Sequence, residues 1–336
     1  MLKDAVEQVK NGQSLSSDTM EQVIDSLFQG KPSGKDVKSF LTGLHEKGES
    51  ADELVGAALA MRKHMLRLQS SRSNIVDTCG TGGSGMATFN ISTGAAMVAA
   101  AAGASVAKHG SGKVTSKSGS ADVLAELGVK IDCSVDKVEK CLDQIGICFC
   151  FAPLFQPDAT KTIAHGDKLE FPTLFNLVMP LCNPASAPFQ LVGVGQPEKR
   201  EIIAEALARL GVDRAMVVHG NDGVAEITTS DASTVTEVRN GHLAHRELFP
   251  EDFGIERAGI ELLKVQNAQQ SADIIIRVLE GQPGAARDIV SMNAAAALWI
   301  SGICDDLSAG IERCRMAIDK GHAKQILKEL IETTNS

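Results

Sequence analysis

One stretch of the sequence, NIVDTCGTGGSGMATFNISTGAAMVAAAAG, restricts the fold more than any other. It runs from Asn74 to Gly103 and places four glycines within six residues, between a short apolar segment and an alanine-rich one. We interpret NIVDTC as a buried strand and STGAAMVAAAAG as a helix, joined by the glycine-rich turn. A strand followed directly by a helix is typical of an α/β domain.

The same alternation continues along the chain. ASVAKHG, ICFCFAP and RAMVVHG are predicted strands, and SADVLAELG is a predicted helix. These segments predict a large α/β domain with a mainly parallel sheet over residues 74–336. Asn240-Gly241 lies between two alternating segments and predicts a β-hairpin. The last third returns to helices, in MNAAAALWISG and GIERCRMAIDKGHAKQILKELI.

Residues 1–70 form a separate helical pattern. Apolar residues recur at helical spacing, and Asp18, Ser33 and Ser50 each precede an acidic residue by three positions, which is typical of a helix N-cap. We therefore predict a small helical domain over 1–70, joined by helices near 171–188. Such a domain packs on the rest of the chain or associates with a second copy.

Composition excludes several classes of protein. With 42 acidic and 33 basic residues the net charge is -9, so we expect neither nucleic acid nor an anionic membrane as a partner. The eight cysteines form no CxxC pair and no zinc-type cluster, which indicates reduced thiols and a cytoplasmic protein. We expect no secretory signal and no membrane helix.

The glycine-rich turn predicts an anion site. Gly80, Gly82 and Gly85 match the dinucleotide fingerprint G-x-G-x-x-G, but the next strand ends in Lys108 rather than in the acid that binds a ribose hydroxyl. The lysine and serine or threonine that close a P-loop are absent as well. Glycines bring backbone amides close to a ligand, and the following helix start favours negative charge. A phosphate or pyrophosphate is therefore the expected ligand, and a plain tight turn is the alternative.

A second loop, KHGSGKVTSKSGSADVL, is also rich in hydrogen-bond donors and follows the neighbouring predicted strand. Its helix is expected to be capped by Ser118 or Ser120. Loops of this kind meet at the carboxyl edge of a parallel sheet, where ligands bind.

Together these segments resemble one known family. GTGG, TFNIST, KHG, SKSGSADVL, FAP, FNL, PLCNPA, VVHG and NAAAAL, in this order, are similar to the motifs of the anthranilate phosphoribosyltransferases, and the similarity covers almost the whole chain. The resemblance implies a small helical domain beside a large α/β domain, the architecture shared with nucleoside phosphorylases of the thymidine phosphorylase type. It also implies a homodimer formed through the helical domain.

The resemblance implies transfer of phosphoribose from phosphoribosyl pyrophosphate (PRPP) to an aromatic amine, with Mg²⁺, release of pyrophosphate and no covalent nucleophile. The residues then expected to bind PRPP are Gly80, Gly82, Gly83, Asn90, Ser92, Thr93, Lys108, Ser116 and Ser120. Those expected to bind the acceptor are His109, Ser111 and Gly166, and those expected to bind the metal are Ser92, Asp222 and Glu226.

The sequence departs from the family pattern around the metal and the acceptor. Ala225 stands where the family carries the first residue of an Asp-Glu pair, and Ser84 where it commonly has aspartate. Ser111 replaces an asparagine and Gly166 an arginine, both of which contact the acceptor in the family; Gln156 replaces a histidine. Loss of a charged partner for a carboxylate weakens binding, because charge-assisted hydrogen bonds are the strong ones.

These departures leave alternatives open. Anthranilate is the leading acceptor, and another aromatic or heterocyclic amine is the second. A nucleoside phosphorylase or a non-catalytic binding relative would share the architecture. A nicotinamide-dependent dehydrogenase is disfavoured, because the acid that binds the ribose hydroxyl is missing.

Overall fold

The computed structural model describes residues 1–30, 33–112, 119–165, 169 and 171–336. In these ranges the chain forms seven strands: β1 Ile75–Gly80, β2 Ser105–Gly110, β3 Ile147–Phe151, β4 Phe189–Gly193, β5 Arg214–Gly220, β6 Ser233–Arg239 and β7 His242–Leu248. The helices that precede the sheet are α1 Leu2–Lys10, α2 Ser17–Phe28, α3 Gly34–Lys47 and α4 Ala51–His64. Those that follow β1 are α5 Ile91–Ala101, α6 Ser120–Glu126, α7 Val135–Ile145, α8 Ala152–Phe155, α9 Pro157–His165, α10 Leu174–Val178, α11 Arg200–Arg209, α12 Ala268–Leu279, α13 Ala285–Ile300, α14 Leu307–Asp319 and α15 His322–Asn335.

The helix starts follow local capping, with two corrections to the sequence predictions. Ser33 and Ser50 cap α3 and α4 as predicted. The prediction for Asp18 was wrong, because α2 is capped two residues earlier by Ser16, whose hydroxyl accepts the Thr19 amide. The N-cap of α6 is Gly119 rather than a serine. There the Asp122 carboxylate, three residues later, accepts the backbone N–H of the cap, which is the half of a capping box that the third helical residue supplies.

The sheet has the order β3-β2-β1-β4-β5-β6-β7. The first five strands in this order are parallel, and β6 and β7 are antiparallel to their neighbours. This confirms the predicted fold of a helical part beside a mainly parallel α/β sheet. The predicted hairpin is also present, because Asn240 and Gly241 both have positive φ and connect β6 to β7.

Buried apolar side chains form two clusters, one on each side of the sheet. The larger cluster includes α5 and α13, which pack on one face. The smaller cluster joins α1–α4 to α10, α11 and the facing sides of β4 and β5. Helices α1–α4 therefore pack on the sheet through this smaller cluster. Within the described ranges, no helix combines the length and apolar character needed to cross a bilayer.

Candidate functional site

A cleft with a volume of about 380 Å³ opens at the carboxyl ends of β1 and β2. Its walls come from the glycine-rich loop, the start of α5, the end of β2, the start of α8, the segment around α10, and the loop after β5. The predicted site residues on its wall are Gly80, Gly82, Asn90, Ser92, Lys108, His109, Ser111, Ser120 and Glu226. Predicted site residues that span the sequence from Gly80 to Glu226 thus line one cleft.

The glycine-rich loop is held against β4 by close backbone contacts. Thr81 donates its amide to the carbonyl of Gly193 at 2.9 Å. Gly82 and Gly83 have φ of +66° and +79°, which glycine adopts at little cost. In the described part of the chain, the amides of Gly82 and Ser92 have no hydrogen-bond acceptor. These two free donors lie on residues of the cleft wall and suit an anion.

The start of α5 forms the next part of the wall. Asn90 caps this helix, because its Oδ1 accepts the Thr93 amide at 3.1 Å and the Ser92 hydroxyl at 3.3 Å. The backbone amide of Asn90 in turn donates to the Ser271 hydroxyl at 2.8 Å. The positive end of the helix dipole therefore faces the cleft beside the glycine-rich loop.

Lys108 on β2 brings a positive charge to this wall. Its Nζ donates to the Thr78 carbonyl at 2.5 Å and to the Ser92 hydroxyl at 3.1 Å, and the side chain is 3% exposed. Burial lowers the pKa of Lys108, while the negative charges of Asp77 and Glu226 act in the opposite direction. The ammonium is thus fixed in place before any ligand arrives.

Asp77 and Asn183 fix the end of β2, a feature that sequence reasoning missed. Asp77 accepts the backbone amide of His109 at 3.1 Å and the Asn183 side-chain amide at 2.8 Å. Asn183 also donates to the carbonyl of Ala107 at 2.8 Å. An acid in the middle of the buried strand segment NIVDTC was the available signal, since buried carboxylates are held by hydrogen bonds.

His109, the residue after Lys108, also lines the cleft and is 3% exposed. Burial lowers its pKa to about 4, against a smaller opposing effect of a hydrogen bond with the Met179 carbonyl. The ring is therefore neutral at pH 7, and its Nε2 has no partner among the described residues. Ser111 lies two residues later, just after the end of β2, and its hydroxyl donates to the Gly112 carbonyl at 3.3 Å.

Glu226 supplies the carboxylate of the cleft wall. Burial raises its pKa to about 7, Lys108 opposes this increase, and the negative charge of Asp222 adds to it. No protein hydrogen bond or ion pair reaches the Glu226 carboxylate from the described residues. The Asp222 carboxylate, in contrast, accepts from Val224, Thr228 and Ser230 and is not part of the wall.

The donor set at this point suits Mg²⁺. The Glu226 carboxylate and the Ser92 hydroxyl both contribute hard oxygen atoms to the cleft, the ligand type that Mg²⁺ prefers. Within the described ranges, no cluster of three or more histidine, cysteine or acidic side chains is arranged to hold a metal ion. Mg²⁺ commonly takes one or two carboxylates and completes its shell with substrate phosphates and water. The residues therefore fit a metal that arrives with a diphosphate.

Other predicted site residues lie elsewhere. Gly83, Thr93 and Asp222 are not among the residues that line the cleft, and the buried Thr93 hydroxyl has no hydrogen-bond partner within the described ranges. Ser116 and Gly166 fall outside the described residues. Gln156 is buried beneath the cleft, where its amide donates to the Cys182 carbonyl at 2.9 Å.

Comparisons with known proteins agree with this architecture. The glycosyl transferase family, a/b domain, matches residues 72–324, and the glycosyl transferase family, helical bundle domain, matches residues 3–65. An anthranilate phosphoribosyltransferase of Acetivibrio thermocellus is 43% identical over all 336 residues and 97% of its own length. The chain belongs to the anthranilate phosphoribosyltransferase family. The resemblance drawn from the sequence motifs is thereby confirmed.

Other members of the family extend the comparison. The enzyme of Rhodopirellula baltica is 44% identical over 98% of this chain and 96% of its own length. The crystal structure of the Thermus thermophilus enzyme superposes with a TM-score of 0.92 at 34% identity, covering 99% of this chain and 100% of the other. The Saccharomyces cerevisiae enzyme, in complex with PRPP and Mg, superposes with a TM-score of 0.89 at 26% identity, covering 99% and 98% of the two chains.

Proposed function

We propose that this chain transfers phosphoribose from PRPP to the amine of anthranilate and releases pyrophosphate, with Mg²⁺. The observation that carries the proposal is the convergence of backbone amides, a buried lysine and a carboxylate in one cleft of a phosphoribosyltransferase fold, where the amides and the carboxylate have no partner among the described residues. In the reaction the amine nitrogen bonds to the anomeric carbon, the bond from that carbon to pyrophosphate breaks, and the nitrogen loses a proton.

The diphosphate end of the cleft is formed by the glycine-rich loop and the start of α5. Amides of Gly82 and Ser92 would donate to phosphate oxygens, and Lys108 adds a fixed positive charge behind them. As the anomeric carbon becomes electron-poor, negative charge grows on the leaving pyrophosphate. Donors that are already in position stabilise that charge without reorganisation, which lowers the barrier.

We place Mg²⁺ at Glu226 and Ser92, with the charge of nearby Asp222 adding to the field. When bound, the metal neutralises charge on the diphosphate. Gly83, Thr93 and Ser116 also belong to the proposed PRPP set; Gly83 lies in the glycine-rich turn and Thr93 in the first turn of α5, next to residues of the cleft wall. Ser120 lies on its wall, at the first turn of α6.

The acceptor end is formed by His109, Ser111 and the segment around α10, and the proposed set includes Gly166. Apolar side chains, among them Ile163, Phe175 and Met179, line this end and suit a flat aromatic ring. The neutral imidazole of His109 does not repel the positive charge that develops on the sugar.

The departures at Ser111 and Gly166 favour a second candidate, PRPP-dependent transfer to another aromatic or heterocyclic amine. One experiment separates the candidates. PRPP is titrated with and without Mg²⁺, and anthranilate is then added while loss of its fluorescence is followed. Turnover supports anthranilate, and PRPP binding without turnover supports another amine or a non-catalytic relative. Ser111→Asn combined with Gly166→Arg should raise kcat/KM for anthranilate if those residues limit its recognition.

We also propose the division into a helical domain over 1–70, joined by helices near 171–188, and an α/β domain over 74–336. The helical part would form a homodimer, and exposed Leu59 and Leu66 at α4 and just beyond it supply apolar surface for this contact. A cytoplasmic location is supported by eight free cysteines, seven of them buried. Light scattering of the purified chain tests the dimer, and a monomer mass would refute it.

A further inference from the structure

Asn293 on α13 makes a paired contact with both backbone hydrogen-bonding groups of one residue, Ile227, in the loop after β5. Its Oδ1 accepts the backbone amide of Ile227 at 3.1 Å, and its Nδ2 donates to the backbone carbonyl of Ile227 at 2.9 Å. The same Nδ2 donates to the carbonyl of Ile289 within α13, also at 2.9 Å. Asn293 is 1% exposed, so all of these bonds are made away from solvent.

Such a contact fixes the loop strongly. Both hydrogen-bonding groups of the Ile227 backbone are satisfied by one side chain from a helix that lies 66 residues later. Leaving a buried peptide N–H or C=O without a partner costs free energy, so separation of the loop from α13 is unfavourable. The Ile227 side chain is itself fully buried in the core.

The residue just before this anchor is Glu226. Asn293, Glu226 and Ser92 together line a small cavity, so the anchor and Glu226 border the same space. Asp222 holds the remainder of the loop, because its carboxylate accepts the hydroxyls of Thr228 and Ser230. The loop is thus held from outside by Asn293 and from within by Asp222. Glu226 lies between these two contacts and lines the cleft.

We infer that Asn293 is a positioning residue, which holds Glu226 where its carboxylate meets the metal bound to the diphosphate. This rests on the proposed function, since PRPP and Mg²⁺ come to this chain through that proposal. Side chains that orient a ligand of a metal commonly change metal affinity 10- to 100-fold when they are replaced. Asn293 never contacts the substrate in this role.

The test uses Asn293→Ala, with Ser291→Ala as the matched control. Ser291 is buried on the same helix, but its hydroxyl donates to the Arg287 carbonyl of that helix and not to the loop. Binding of Mn²⁺ in the presence of PRPP is measured by electron paramagnetic resonance, and hydrogen exchange of the peptide over 224–230 is measured by mass spectrometry. We expect Asn293→Ala to weaken Mn²⁺ binding about 10- to 100-fold and to speed exchange, with the control unchanged.

Asn293→Asp provides a second perturbation, because it keeps an acceptor for the Ile227 amide but sets a buried carboxylate against the Ile227 and Ile289 carbonyls in place of the donor. It should weaken Mn²⁺ binding and speed exchange at least as much as Asn293→Ala, while KM for the acceptor stays within about twofold of wild type. Equal Mn²⁺ binding, or unchanged exchange, in Asn293→Ala and Ser291→Ala overturns the inference. Failure of the wild type itself to bind Mn²⁺ with PRPP overturns the proposed function, and the exchange measurement still decides whether Asn293 holds the loop.

Discussion

Replacement of Glu226 by glutamine should make the metal-free protein more stable at alkaline pH. Burial raises the pKa of Glu226 from an ordinary 4.5 to about 7. Between pH 4.5 and pH 7 the folded state therefore binds a proton on this group more readily than the unfolded state does. Above pH 7 the carboxylate is ionised in both states, and its burial lowers the free energy of unfolding. At about 1.4 kcal/mol for each pH unit, the full cost is about 3 kcal/mol above pH 7.

The sign follows from this difference. Because the folded pKa is raised, the cost is absent below pH 4.5, grows through the interval, and is complete above pH 7. Glutamine has nearly the same shape and no charge, so Glu226→Gln should raise the free energy of unfolding by about 3 kcal/mol at pH 8.5 and about 1 kcal/mol at pH 5.5.

Urea unfolding of both proteins without metal, at the two pH values, provides the measurement. A gain of equal size at pH 5.5 and 8.5 would refute the reasoning, because an uncharged effect of the substitution does not depend on pH. The same variant should lose Mn²⁺ binding in the presence of PRPP, so that stability and metal affinity move in opposite directions.

Three further perturbations test other parts of the site. Lys108→Met keeps most of the apolar stem and removes the ammonium, so the Kd for PRPP by calorimetry should rise at least about tenfold; an unchanged Kd would exclude this residue from the site. Gly193→Ala would place a Cβ 1.7 Å from the Ala225 carbonyl oxygen. We expect the free energy of unfolding, measured with urea, to fall by about 1–3 kcal/mol. The control Gly259→Ala, whose Cβ would meet nothing within 4 Å, should leave it unchanged. A double-mutant cycle of Asp77→Ala and Asn183→Ala should give a coupling energy of about 1.5–3 kcal/mol; additive losses would contradict the buried contact.

Much of the fold could be predicted because its signals are local. RAMVVHG coincides with β5, and the glycines of the turn after β1 mark the loop directly. β4 was not predicted, because its short apolar run has no periodicity of its own and its place between β1 and β5 depends on pairing with distant strands.

The partners of the site residues were harder to foresee. Asp77 pairs with Asn183, 106 residues later, and Ile227 with Asn293, 66 residues later. The acid within NIVDTC signals that Asp77 needs a partner, but the local sequence identifies neither Asn183 nor Asn293. The family resemblance implies Asp222 as a metal ligand, and that stays a prediction; in the structure its carboxylate accepts hydroxyls of its own loop. Spacing along the chain identifies which residues are near a site, but their hydrogen bonds decide which side chains are free to bind.

Lys108 and His109 are consecutive residues of one buried strand, and both line the cleft. Because successive side chains of a strand point to opposite faces of the sheet, these two leave β2 in different directions. Substitutions beside one of them, such as those close to Ser111, can therefore alter its surroundings while the backbone that carries the other stays in place.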